Sequence, residues 1–264
     1  MPHDETDTTA GPTAGPAPGP TAGPAAGPHD APAPGAGGEA PPAPAPPAGD
    51  THPLVEAADW PEPTSRVEGV TVRDAGDGDH AAIAHLTVTS YVDGGHVDPA
   101  DEYIAELEDV ASRARRARVL VAEVDGWGDD GGDDREAAGD PGASAPGERR
   151  PVIAGSVVLT LPGMPMTEVA REGELEFRML AVDPRARRRG VARALVRAAV
   201  DRAGQLEGIG AVVLTTMETM TGAHALYESE GFERVPERDW RLSDIGQEPT
   251  DGTDQLFWVY RRTV

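Results

Sequence analysis

The chain has 264 residues, enough for one or two domains, and it contains no Cys. It therefore has no disulfide, no thiolate metal site and no thiol nucleophile, and because all 23 basic side chains are Arg, lysine Schiff-base chemistry is excluded too. The net charge of −23 opposes nucleic-acid binding through bulk electrostatics.

The sequence also bears on location. No apolar run approaches the roughly 18 residues that a membrane span requires. The N-terminus lacks the basic and apolar regions of a secretory signal. We therefore expect a cytoplasmic protein without a membrane partner.

Two segments have the composition of disordered chain. In residues 1–50, 36 positions are Pro, Gly or Ala, and such a segment buries too little apolar surface to offset the entropy of ordering. We interpret residues 1–65 as a disordered tail. Residues 125–150 carry eight acidic side chains and three Arg, and we interpret them as a disordered acidic insertion in a loop. One folded domain is expected over residues 66–264.

The remaining sequence mixes strand and helix patterns. In chain order we predict a strand at 66–73, a helix between Asp79 and Gly94, a helix at 99–111, strands at 118–124, 152–161 and 174–182, a helix at 189–206, a strand at 211–215, a helix at 221–230, and strands at 232–235 and 256–260. The strands at 118–124 and 152–161 are expected to form a hairpin. This order predicts a mixed α/β fold, one sheet with helices on both faces.

A basic stretch within the acidic chain indicates an anion site. Residues 178–202 hold eight Arg and two Asp, and they include a strand-to-helix junction in which Gly190 and Ala192 allow a ligand to approach the backbone closely. Unpaired amides at the helix start, with the positive end of its dipole, suit a pyrophosphate. The alternative is a helix with a solvated basic face, although basic residues at a helix start oppose the dipole.

Two motifs resemble the signatures of the GNAT superfamily of N-acetyltransferases. Arg187-x-x-Gly190-x-Ala192 is similar to the acetyl-CoA motif of that family, (Q/R)-x-x-G-x-(G/A). The sequence AHALYESEGF at residues 223–232 matches the second signature, A-x-x-L-Y-x-x-x-G-F. The chain departs from the family at Met220, where many members carry Asn.

The resemblance covers about residues 66–264 and implies a fold and a co-substrate. It implies a mostly antiparallel sheet that splits between strands 174–182 and 211–216, with the pantetheine arm of acetyl-CoA in the split. The residues implied in cofactor binding are Leu180, Ala181, Val182, Arg187, Arg188, Arg189, Gly190, Val191 and Ala192. The lack of Cys agrees with direct transfer in a ternary complex, because no thiol is available to hold the acetyl group.

Two residues are candidates for proton transfer. By resemblance, Tyr227 is the general acid that protonates the leaving CoA thiolate, and a core aromatic is the alternative. Simple alternation places Glu176 on the same strand face as Leu180, where it suits a base that acts on the acceptor ammonium directly or through water. The alternative is a partly exposed Glu176 paired with Arg178, and Glu174 is a rival for the role of base.

The other polar and aromatic residues carry weaker signals. The seven His do not have the spacing of a metal-binding helix pair, so no metal is expected, and His224 is expected to face solvent. Tyr91, Val92 and Tyr103 are candidates for the wall of the acceptor pocket, or alternatively are core residues.

We therefore expect an N-acetyltransferase that acts on a primary amine of a small molecule or peptide. Two alternatives stay open, namely a non-catalytic acyl-CoA-binding module and a protein-modifying acetyltransferase. Neither nucleic acid nor membrane is an expected partner, and both a monomer and a homodimer are compatible with the sequence.

Overall fold

The computed structural model describes residues 60–62, 67–100, 103–125, 152–245 and 254–264. The predicted disordered tail and acidic insertion lie almost wholly outside these residues. Trp60 is an exception, because its side chain is buried in the main apolar core. Core packing therefore begins before the predicted tail boundary at residue 65.

The described residues form eight strands and five helices, apart from short 3-10 turns. They are β1 (Val70–Asp74), α1 (His80–Asp93), α2 (Tyr103–Glu108), α3 (Val110–Arg116), β2 (Arg118–Val124), β3 (Val152–Thr160), β4 (Glu174–Val182), α4 (Val191–Gln205), β5 (Ala211–Met217), α5 (Thr221–Ser229), β6 (Glu233–Arg234), β7 (Trp240–Arg241) and β8 (Leu256–Thr263). Within this part of the chain, the helices are too short or too polar to cross a membrane.

Three elements differ from the prediction. The helix expected at 99–111 is instead the pair α2 and α3, because Asp109 leaves the helical conformation and its carboxylate accepts the amide N–H of Ser112 at 3.0 Å. This is an N-cap that starts a new helix. The short strand β7 was not predicted, and β8 extends past the predicted end to Thr263.

The sheet has the strand order β1-β2-β3-β4-β5-β8-β6, with β7 also paired to β8. The β2–β3 hairpin is confirmed, and β4–β5 is the parallel pair among antiparallel ones. That parallel pairing joins only Glu174–Glu176 to Ala211–Val213, although β4 continues to Val182 and β5 to Met217. The two strands therefore diverge, and the split implied by the resemblance is present.

Apolar side chains cover both faces of the sheet. On one face, α4 packs its buried residues, among them Leu195 and Ala198, against Phe177 and Leu214. On the other face, the three N-terminal helices bury a second cluster that includes Ile83. Each fully buried large aliphatic side chain contributes roughly 1.5–3 kcal/mol. Helices on both faces, as predicted, bury the sheet from two sides.

Met179, which has a left-handed backbone conformation, interrupts β4 and changes the face of the strand on which Glu176 lies. Met179 has φ 52°, and the pairing with β3 shifts register here. Met179 packs in the cluster under the N-terminal helices, whereas Phe177 and Leu180 both pack on the α4 face. This bulge adds one residue to the strand. Glu176 consequently lies on the face opposite Leu180, and the prediction from simple alternation was wrong.

Candidate functional site

A cavity of about 650 Å³ lies where β4 and β5 diverge. This volume is in the usual range for small-molecule sites. The strands contribute Phe177, Arg178, Met179, Leu180, Val182, Thr215, Thr216 and Met217 to its wall. Because Leu180 and Arg178 lie on opposite faces of β4, the cavity reaches both sides of the sheet.

The start of α4 borders the cavity. Gly190 is the N-cap of this helix, with φ 83°, a left-handed conformation that glycine adopts without strain. A Cβ at this position would lie 2.9 Å from Cγ1 of Val67. Amide N–H groups in the first turn of a helix have no intrahelical acceptor. Arg187 and Ala192 line the cavity beside this turn, so donors and positive charge converge at one end of it.

The nine predicted cofactor-binding residues divide into three groups. Leu180, Val182, Arg187 and Ala192 line the cavity. Arg188 and Arg189 are exposed before the helix, and Gly190 is half-buried at its start. Ala181 and Val191 are buried in the core, where a ligand could meet only their backbone.

Tyr227, the predicted acid, lines the cavity from α5. Its ring packs against Phe177, Tyr260 and Phe232 at centroid distances of 5.8, 6.0 and 6.1 Å. Burial raises the pKa of its hydroxyl above the ordinary value. Tyr227 thus keeps its proton at neutral pH and can act as a donor toward the cavity.

His224 and Met220 lie close to Tyr227 in the sequence, and the environment of His224 differs from the expectation. His224 is buried rather than solvent-facing, because its ring stacks on Trp258 at 4.6 Å and its Nε2 lies 3.0 Å from the carbonyl oxygen of Met217. Met220, in the place of the family's Asn, lines the cavity, and the hydroxyl of Thr216 contacts its sulfur at 3.4 Å.

Glu176, the predicted base, is fully buried and is absent from the cavity wall. Its Oε2 accepts the backbone N–H groups of Glu168, Val169 and Ala170 at 3.0, 2.8 and 2.9 Å. Burial raises the pKa of Glu176 to about 7. The structure therefore gives its carboxylate a loop-holding contact and does not bring it to the cavity.

Glu174 also points away from the cavity. It accepts hydrogen bonds from Arg238 and Arg261, both at 2.8 to 3.0 Å. Although burial opposes ionisation, these hydrogen bonds hold the pKa of Glu174 below its ordinary value. Its role is an ion-pair anchor for the strands that surround it.

The cavity wall on the N-terminal-helix face contains residues that the sequence only partly indicated. Tyr91 and Tyr103 line it as expected, whereas Val92 does not. Additional polar and aromatic lining residues include His96, Glu168, Arg178, Trp240 and Phe257. His96 and Glu168 lie in loops between predicted elements, and no motif marked them. Their presence makes this side of the cavity polar enough to hold a charged acceptor.

His96 occupies the loop between α1 and α2. Its ring meets that of Tyr91 edge-on at 6.5 Å. Burial, assisted by the charge of Arg187, lowers the pKa of His96 below the ordinary value. The imidazole is therefore neutral at pH 7 and can accept a proton. Among the described residues, no cluster of His, Asp and Glu has the arrangement of a metal site.

Comparison with known proteins shows which family this domain resembles. The model of the acetyltransferase (GNAT) family matches residues 113–232. N-acetylaspartate synthetase of Danio rerio is 38% identical over 91 residues, which are 34% of this chain and 31% of that protein. The match thus spans about a third of this relative.

Solved structures also resemble the chain. A GCN5-related N-acetyltransferase from Kribbella flavida is 25% identical with a TM-score of 0.46, and the match covers 75% of this chain and 99% of that one. A Salmonella typhimurium protein solved with its cofactor acetyl-CoA is 17% identical with a TM-score of 0.46, covering 74% and 94%. The family match at residues 113–232 contains both motifs, so this segment of the chain is similar to the acetyltransferase (GNAT) family.

Proposed function

We propose that this chain is an acyltransferase that moves an acetyl group from acetyl-CoA directly to a primary amine while both are bound. The observation that carries the proposal is the cavity between β4 and β5, which joins the start of α4 on one face to a polar pocket on the other. A site of this shape lets two ligands meet from opposite sides of the sheet. The name of the zebrafish relative, which refers to N-acetylaspartate, supports nitrogen as the acceptor atom.

The residues of the cavity fit acetyl-CoA. The edge of β4 beyond Glu176 faces the split rather than β5, so its amide and carbonyl groups can pair with an extended amide-bearing arm. The amides around Gly190, with Arg187 beside them, suit a pyrophosphate. When bound, acetyl-CoA supplies an acetyl thioester, an activated acyl group that an amine can attack.

Tyr227 has the position and protonation state of an acid. Transfer forms a carbon–nitrogen bond at the acetyl carbonyl and breaks its bond to sulfur, which leaves as a thiolate unless it gains a proton. Its hydroxyl is protonated at neutral pH, as that of an ordinary tyrosine is, so it can give that proton, although burial raises its pKa and thereby makes it a weaker acid. Backbone N–H groups of the free β4 edge can stabilise the negative charge on the carbonyl oxygen.

A second proton has to leave the acceptor. An ammonium group loses two protons on acetylation, of which one balances the proton delivered to sulfur and the other passes through a base to solvent. Two cavity-lining groups are suited to accept it, the neutral imidazole of His96 and the carboxylate of Glu168. Glu176 acts on this step only through the loop that it holds.

The absence of Cys makes the test direct. A thiol-reactive dye added to protein, acetyl-CoA and amine detects CoA alone, because the chain has no thiol of its own. Acetyl-CoA is offered with a panel of primary amines, and acetylated product is identified by mass. We expect amine-dependent release of CoA. Binding of acetyl-CoA without release with any amine would instead establish the non-catalytic module.

A further inference from the structure

The acceptor side of the cavity contains a buried ion pair. Arg178 and Glu168 both line the cavity, and their side chains are only 10% and 11% exposed. Nη2 of Arg178 donates to Oε1 of Glu168, and Nη1 donates to the carbonyl oxygen of Met166 at 2.7 Å. Although burial lowers it, the carboxylates of Glu168 and Glu176 hold the pKa of Arg178 above its ordinary value. The wall therefore carries a guanidinium group and a carboxylate side by side.

The hydrogen-bonding capacity of Arg178 is only partly used. A guanidinium has five N–H donors in a planar fork. The described residues accept two of them, and the Nε–H is buried without a partner in the part of the chain that the structure describes. Withdrawing an ion pair from water costs free energy, and unpaired buried donors add to that cost. A carboxylate in the cavity can accept the Nη N–H groups that remain, whereas the Nε–H, which is buried, lies beyond its reach.

We propose that the acceptor is a free amino acid in its zwitterionic form, with its carboxylate on Arg178 and its ammonium group on Glu168. The inference rests on the proposed acetyl transfer and names the substrate class for it. The two charges of an amino acid are separated by one carbon or a few, which matches the adjacent charges of the pair. Arginine binds carboxylates through two parallel N–H donors, which also fixes their orientation.

The surroundings of the pair support a small zwitterion over a larger or singly charged amine. The buried Tyr103 and the partly buried Tyr91 line the same cavity, and an environment of low polarity strengthens both charge contacts. A zwitterion adds no net charge to this buried site, whereas a plain ammonium would leave a charge without a counterion. Arg178 and Leu180 lie on opposite faces of β4, and both line the cavity. An acceptor held by Arg178 therefore approaches the split from the face opposite Leu180.

The first experiment compares each amino acid with the amine left when its α-carboxyl is removed, for example phenylalanine with phenethylamine and alanine with ethylamine. Using the full chain and acetyl-CoA, we expect at least one amino acid to have a kcat/KM about 100-fold above that of its partner. If kcat/KM for the amines equals or exceeds that for the amino acids, the inference is wrong, whereas the proposed acetylation of amines still holds. Turnover of no amino acid also overturns it.

The second experiment assigns the preference to Arg178. We expect Arg178→Met to lower kcat/KM for the amino acid at least about 30-fold more than kcat/KM for its amine, so that the preference is lost. The matched control is Arg171→Met, an exposed arginine outside the cavity wall, which should keep the preference. An equal loss on both members of a pair would show that Arg178 is structural. The double variant Glu168→Gln, Arg178→Met covers the case in which an unpaired Glu168 prevents folding.

Discussion

The carboxylate of Glu176 holds Glu168 at the cavity wall. Its Oε2 accepts the backbone N–H of Glu168 at 3.0 Å, and the next two amides of the loop donate to the same oxygen. Glu176 itself does not line the cavity, whereas Glu168 does. A residue predicted as the base from its strand thus bears on the acceptor pocket by positioning a second carboxylate.

The buried state of Glu176 predicts a pH-dependent stability. Its pKa is about 7 in the folded chain and near the ordinary value after unfolding, so the folded state binds more protons between these values. The contribution of Glu176 to the free energy of unfolding is therefore fully present below about pH 4.5. It falls by up to about 3 kcal/mol as the pH rises toward 7. Urea unfolding of the parent and of Glu176→Gln across this range measures the difference.

The control is Glu174→Gln, which removes a carboxylate whose pKa is lowered rather than raised. Between pH 4.5 and 7 the difference in stability between the parent and Glu176→Gln should change, whereas that for Glu174→Gln should stay nearly constant, because a lowered pKa confines its change to pH values below about 4.5. If the parent and Glu176→Gln differ by the same amount at pH 4 and pH 7, Glu176 titrates normally and the proposed burial cost is wrong.

A substitution at Gly190 tests the proposed anion site at the start of α4. Replacing it by Glu puts a negative charge at the start of α4 and a side chain where φ is 83°, so acetyl-CoA binding should weaken about 100-fold or more. Isothermal calorimetry with CoA at two salt concentrations measures the affinity. Gly208→Glu is the matched control, because Gly208 has φ 80° and open space around it, far along the chain from the helix start. Unchanged CoA affinity in a folded Gly190→Glu variant rules out the assigned phosphate site.

Trp60 defines where the folded chain begins. Its side chain packs in the main core, so Trp60→Ala should lower the free energy of unfolding by about 3 kcal/mol. Removal of residues 1–59 should leave the melting temperature nearly unchanged, because that segment is poor in apolar side chains. Removal of residues 1–62 should reproduce the loss seen with Trp60→Ala. Thermal melts of the three variants decide this, and equal melting temperatures for both truncations would place Trp60 outside the core.

The lowered pKa of His96 predicts where the rate falls on the acidic side of the pH–rate profile. Burial and Arg187 lower its pKa, so an unprotonated imidazole is available above the ordinary value of about 6.5, and kcat should fall only at lower pH. His96→Gln should reduce kcat about 100-fold and remove that limb. Glu168→Gln serves as the comparison, because it deletes the other cavity-lining acceptor. Retention of the acidic limb in His96→Gln assigns it to another group.

Local sequence was sufficient for much of the fold and for one end of the cavity. The bounds of β4 at 174–182 follow from its pattern, and the small residues Gly190 and Ala192 mark the helix start because their size is what a close ligand requires. Tyr227 was found through its motif and does line the cavity. These features depend on neighbours along the chain.

The features that sequence reasoning missed depend on distant contacts. Met179 has no residue-level signal for a left-handed conformation, since methionine rarely adopts it, and this bulge reversed the face of Glu176. His224 is buried because Trp258, 34 positions later, covers it. His96 reaches the cavity from a loop whose path is set by tertiary packing rather than by a pattern.

Tyr227 carries the most specific catalytic prediction. Tyr227→Phe removes the hydroxyl but keeps the ring, so its packing on Phe177 and Tyr260 should persist and the variant should fold normally. Without a proton donor for the leaving thiolate, kcat should fall about 10²–10⁴-fold, whereas the affinity for acetyl-CoA should stay close to that of the parent. Stopped assays for CoA release and calorimetry with CoA separate the two quantities.

Two results would remove this assignment. A parental kcat in Tyr227→Phe with the best amine would make Tyr227 a packing residue, and the thiolate would then take its proton from water. A loss found in affinity rather than in kcat would make the hydroxyl a binding contact. Tyr260→Phe is the matched control, because it removes a second buried hydroxyl, hydrogen-bonded to Glu228 at 3.2 Å, from a ring that packs on Tyr227 without lining the cavity. Since that hydroxyl cannot reach the sulfur, kcat should stay within about threefold of the parent.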